Sequence, residues 1–105
     1  MPQGRIAVGR VEDFTEGSIT PLTVAEQEVV LIRQHDTFYA MPDRCTHANF
    51  PLHDGELLPG VLKCIRHGAT FDLVSGRPTL PAVKKIRLYD TQVEDGTVYI
   101  SYQET

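Results

Sequence analysis

Cysteine occurs twice in this chain, and each time a histidine follows within three residues: Cys45-Thr46-His47 and Cys64-Ile65-Arg66-His67, with sixteen residues between the pairs. Four soft or borderline ligands in two tight pairs, each able to converge from one loop, are a way to hold a metal centre. A fold that uses them must bring two loops together from one body. The bland alternative is a pair of buried cysteines with surface histidines, and a doubled arrangement on two turn-rich segments seldom arises by chance. Two cysteines permit at most one disulfide, and a reducing compartment disfavours even that.

The remainder of the chain reads as strands. Apolar residues rarely recur at helical spacing, and prolines at 2, 21, 42, 51, 59, 78 and 81 interrupt the candidate windows. Arg5 to Val11 opens with alternation on Ile6 and Val8. Ile19 to Val24 reads as an edge strand, because Pro21 cannot donate to a ladder. Glu28 to Gln34 carries the run Val29-Val30-Leu31-Ile32 and reads as a central strand buried on both faces, turning at Gln34-His35-Asp36 into Thr37 to Met41. Ile86 to Val93 and Thr97 to Tyr102 flank Glu94-Asp95-Gly96, a hairpin signal. Pro42 to Pro81 lies between these sets, with turn residues every few positions, and reads as a loop-rich insertion in a small all-β body.

A length of 105 residues predicts one module spanning 1–105. No window nears the roughly 18 consecutive apolar residues of a membrane span, and the first residues lack the apolar stretch of a signal peptide, so the expectation is a cytoplasmic protein with no membrane partner. A net charge of −4 supplies no basic field for nucleic acid, and Lys84-Lys85 alone is too short to count as a patch. A mildly acidic surface suits a soluble carrier that meets basic partner patches.

Two thiolates and two imidazoles also satisfy tetrahedral zinc. In zinc fingers, however, the cysteines usually form one pair and the histidines the other, whereas both pairs here are mixed. A mixed pair can supply one thiolate and one imidazole to different metals. In a two-iron cluster with one iron held by sulfur and the other by nitrogen, each loop contributes one ligand to each iron.

Cys45-Thr46-His47 and Cys64-Ile65-Arg66-His67-Gly68, followed by Phe71-Asp72 and Gly76, resemble the two cluster-binding loops of Rieske [2Fe–2S] proteins. More closely, nearly the whole chain resembles the small Rieske-type ferredoxins of ring-hydroxylating dioxygenase systems. The resemblance implies a small antiparallel β barrel or sandwich with an inserted cluster-binding subdomain at about 43–81. It implies Cys45 and Cys64 on the inner iron of a [2Fe–2S] cluster and His47 and His67 on the outer one. It also implies a monomeric electron carrier, not itself an enzyme, between a flavin-dependent reductase and a terminal oxygenase. A proline-containing third loop covers the cluster in the family, and Pro81 or Pro78 would serve here.

Departures from the high-potential members bear on electrochemistry. Those members carry two further cysteines in a disulfide between the loops, and a serine and tyrosine whose hydroxyls donate to the sulfurs. The matching positions here are Ala69 and Phe71. Hydrogen bonds to sulfur stabilise the reduced, more negative cluster, so their absence predicts a potential toward the bottom of the Rieske range of roughly −150 to +300 mV.

Other residues read as structural. His53 lies between the ligand pairs and reads as a surface turn residue, His35 as a solvent-facing hairpin residue, and Arg44 and Arg66 as solvated cations beside ligands. Phe38, Tyr39, Tyr89 and Tyr99 read as packing, Gly68 and Gly76 as tight-turn glycines, and Asp72 as a cap at the base of a loop. Two rival functions are a Rieske small subunit of a larger oxidoreductase, such as a nitrite reductase-type enzyme, and a zinc-stabilised interaction module.

Overall fold

The computed structural model describes residues 3–46, 50–65, 68–80 and 82–103. Nine strands and one short 3-10 turn at Val11–Asp13 make up its regular structure: β1 Gln3–Arg10, β2 Ile19–Val24, β3 Gln27–Gln34, β4 Thr37–Pro42, β5 Glu56–Leu58, β6 Val61–Lys63, β7 Thr70–Asp72, β8 Thr91–Glu94 and β9 Thr97–Gln103. They form three antiparallel three-stranded sheets ordered β1-β9-β8, β2-β3-β4 and β5-β6-β7. The all-β expectation holds.

β3 is central in its sheet, and its apolar run is divided between two cores. Side chains alternate across a strand, so Val30 and Ile32 enter one buried cluster while Val29 and Leu31 enter the other. β4 repeats the pattern, with Met41 in the first cluster and Phe38 and Ala40 in the second. The second cluster lies between the two larger sheets, where Val98 and Ile100 of β9 join these residues and the Phe14 ring meets Phe38 edge-on. The first cluster lies under the insertion and contains both cysteines.

β2 is an edge strand as expected, with Pro21 opposite Val30. The two hairpin turns are also where expected. His35 and Asp36 have φ of 55° and 59°, and Asp95 and Gly96 have 53° and 77°, the paired positive angles that match the twist of the flanking strands.

Two expectations need correction. Ile86 to Val93 is not one strand: β8 begins only at Thr91. The backbone from Ile86 to Asp90 changes partner every few residues, with Ile86 N–H bonded to Gly76, Tyr89 N–H to Ala40, and the Asp90 carbonyl to Ser101. No single neighbour runs alongside it, so the apolar alternation of Ile86 and Leu88 serves packing and no ladder forms. The insertion, in turn, is more ordered than its turn content suggests, because β5, β6 and β7 give it a sheet of its own.

Candidate metal centre

The first loop leaves β4 at Pro42. The Asp43 N–H continues the ladder to the Glu28 carbonyl, and the Cys45 N–H closes the loop onto the Phe50 carbonyl at 2.9 Å. Inside this loop the Asp43 side chain, 4% exposed, accepts from the backbone N–H groups of Leu52 and His53 at 2.7 and 2.8 Å and meets His53 Nδ1 at 2.6 Å. That carboxylate raises the His53 pKa above its ordinary value, with Asp54, 3.5 Å from Nε2, adding to the effect. His53 is in a surface turn, as expected, but it has a partner there.

The second loop follows β6 directly. The Cys64 N–H bonds to the Ala69 carbonyl at 2.7 Å, and the Gly68 N–H returns to the Cys64 carbonyl at 3.0 Å, a reversal that puts Gly68 at φ 77°. A third segment braces both. Thr79 pairs with Thr70 through backbone and hydroxyl, Phe71 forms a bridge with Pro78, and Thr46 Oγ1 donates to the Lys84 carbonyl at 2.8 Å. Asp72 caps its own turn by accepting from the N–H groups of Val74 and Ser75, and those two bonds lower its pKa.

Cys45 and Cys64 are 2% and 0% exposed, share one core cluster, and form no disulfide. Around them stand Leu52, Leu62, Ala69, Phe71, Leu73, Ala82 and Ile86. None of the described residues in that cluster carries a charged or hydrogen-bonding side chain other than the thiols. A thiolate in such surroundings needs a cation bonded to it. His47, His67 and Pro81 lie outside the described residues, and among those described no three of His, Cys, Asp and Glu gather as a metal site.

A sequence model of the Rieske [2Fe-2S] domain matches residues 4–90. The chain belongs to the Rieske [2Fe–2S] family. It is similar to the ferredoxin CarAc of Metapseudomonas resinovorans, 30% identical over 103 residues and covering 96% of each chain. A second relative is the 3-phenylpropionate/cinnamic acid dioxygenase ferredoxin subunit of Escherichia coli O139:H28, 31% identical with 95% of each covered. Among solved structures it is similar to the ferredoxin of carbazole 1,9a-dioxygenase from Nocardioides aromaticivorans IC177, with a TM-score of 0.87, 29% identity, and coverage of 91% of this chain and 95% of that one.

The Rieske cofactor is a [2Fe–2S] cluster, and the observed environment fits it: two buried thiols, on two loops, in one apolar core. The positions matching the hydroxyl donors of high-potential Rieske proteins, Ala69 and Phe71, are both fully buried in that core. Sequence reading missed Asp43. A short polar residue where a strand passes into a loop is the signal that could have found it, since such side chains satisfy loop N–H groups.

Proposed function

We propose that this protein is a cytoplasmic one-electron carrier, accepting from a flavin-dependent reductase and delivering to a terminal ring-hydroxylating oxygenase. In this reading Cys45 and Cys64 bind the inner iron of the cluster and His47 and His67 the outer one. The observation that carries it is the burial of both cysteines in one apolar core of a chain that matches dioxygenase ferredoxin subunits along nearly their whole length. When bound, the cluster supplies a site that takes up and releases one electron at a time.

The residues of this chain hold and tune that site. The apolar side chains around the thiols exclude water. Ala69 and Phe71 offer no side-chain hydrogen bond to sulfur, which favours the oxidised state and a low potential. Asp43 and the Thr46 to Lys84 bond do the bracing that a disulfide does in the high-potential members.

The test is an electron paramagnetic resonance spectrum of the dithionite-reduced native protein. The expected result is a Rieske signal, its average g value lower than that of all-cysteine ferredoxins. It is lost in His47→Ser and His67→Ser and retained in His53→Ser. A colourless protein carrying one equivalent of zinc would overturn the reading, and tight co-purification with a large subunit would point to the small-subunit alternative.

A further inference from the structure

The net charge of −4 conceals an asymmetry. From Leu57 to Tyr89 the sequence has six Lys and Arg against one acid, Asp72, while the rest of the chain has four against thirteen. The arginines outside that stretch are largely neutralised: Arg5 pairs with Glu94 at 2.8 Å, Arg10 with Glu12 at 3.9 Å, and Arg33 with Asp36 at 2.7 Å. Arg44 shares a cleft with Glu26, Glu28 and Asp43. Among the described residues Lys84, Lys85 and Arg87 are exposed and make no ion pair; Arg87 lies only over the Tyr89 ring, 5.2 Å from its centre.

Their position follows from the packing of their neighbours. Ala82 and Ile86 are buried in the core that holds Cys45 and Cys64, so the intervening Lys84 and Lys85 point outward from the same segment. The Lys84 carbonyl is tied to Thr46, the residue after Cys45. In the same segment Leu80 and Val83 are exposed apolar side chains, each at 79%. Apolar side chains exposed beside unpaired charge mark a protein-binding surface.

We propose that the face formed by Leu80, Val83, Lys84, Lys85 and Arg87, beside Thr46 of the first cysteine loop, docks an acidic surface of the terminal oxygenase that accepts its electron, opposite to what the net charge dictates. The inference rests on the electron-carrier reading and assigns the partner's charge. Local charge governs encounter at a docking face because at physiological salt the Debye length is about 8 Å, short enough to screen charges elsewhere on the molecule.

The experiment follows oxidation of the reduced holo-protein by stopped flow with two one-electron oxidants, anionic ferricyanide and cationic tris(phenanthroline)cobalt(III). The inference expects the ferricyanide rate constant to fall about threefold between about 0.05 and about 0.5 M ionic strength, a range in which charges elsewhere on the molecule are largely screened, and the cobalt rate to stay level or rise. It also expects faster reduction of acidic plastocyanin than of basic cytochrome c at about 0.1 M ionic strength, where the Debye length is about 10 Å. Lys84→Glu with Lys85→Glu should invert both orders, with the reduced-state resonance spectrum confirming an intact cluster. Glu12→Gln with Asp95→Asn, on the β1-β9-β8 side, should leave them alone. A ferricyanide rate that rises with salt would overturn the inference while leaving the carrier intact. A protein that reduces neither oxidant would overturn the carrier reading and this inference with it.

Discussion

The Asp43 carboxylate accepts from two backbone N–H groups through one oxygen and meets His53 through the other, with almost no exposure to water. Asp43→Ala strands both amides inside the first loop, a loss of about 2 kcal/mol. The thermal midpoint of the holo-protein, followed by its visible absorbance, should fall by about 10 °C, and Asp43→Asn, which keeps a carbonyl acceptor, should recover part of it. His53 adds a pH dependence whose sign follows from its raised pKa. The protonated ring is favoured in the folded state, so its stabilisation is complete below the unfolded pKa of about 6.5 and is lost as pH rises through the folded value. The stability difference between wild type and His53→Gln should therefore shrink on raising the pH above about 6.5, as thermal melts across pH 5.5 to 8.5 will show. Ala69 offers a second test. Ala69→Ser puts a hydroxyl into the cysteine core, and a bond from it to sulfur should raise the midpoint potential, on the order of tens of mV, in a spectroelectrochemical titration. At this scale the convergence of Cys45 and Cys64 in one core was legible because their repeated pairing with histidine restricts residue type and spacing together. The Asp43–His53 pair was not, since nine residues separate them in sequence and nothing in composition states that they meet.

Gly76 shows how one backbone position joins two elements. Its φ is 78°, and a Cβ there would collide with the Ile86 carbonyl, while its own carbonyl accepts from the Ile86 N–H. Gly76→Ala combines left-handed strain with displacement of the segment that carries Ala82 and Ile86 into the cysteine core. A loss of about 3 kcal/mol is expected, and chemical denaturation of the holo-protein checks it against Gly17→Ala, where φ is equally positive but the space is open. Gly76 could be marked from sequence as a turn glycine, but its partner ten residues on could not. The same asymmetry runs through the elements. β3 and the Asp95-Gly96 hairpin were readable because long apolar runs and two-residue turns carry their own geometry. β5, β6 and β7 are three residues each, shorter than any period-two pattern needs, and exist because they pair with one another. Ile86 to Asp90 has the reverse problem: its alternation reads as a strand, and only the succession of partners in three dimensions shows otherwise.

The molecule has two cores that meet along β3 and β4, and they depend differently on the metal. The core between the larger sheets is filled by Phe14 and by aliphatic and aromatic side chains from β2, β3, β4 and β9, with Ile6 and Val8 of β1 packed against it. The other is closed by Cys45 and Cys64, with Leu52, Leu62, Phe71, Leu73 and Ile86 contributed by the insertion and the segment after it. In the proposed reading iron ligation links two loops that are otherwise held by hydrogen bonds and by three short strands, so its contribution to stability should fall on that half. Removal of iron by chelation under reducing, anaerobic conditions should speed amide exchange in β5, β6, β7 and the cysteine loops by about a hundredfold or more, equivalent to about 2.7 kcal/mol of local protection. Amides of β9 and the β1 side of its ladder should stay protected, and β3 should show an intermediate response because each of its faces serves a different core. Hydrogen exchange read by mass spectrometry on the holo and apo proteins measures this directly. Uniform loss of protection would mean that the two cores fold as one unit; unchanged protection in β5–β7 would mean that the insertion folds without its metal and that the cysteines contribute no more than their apolar volume.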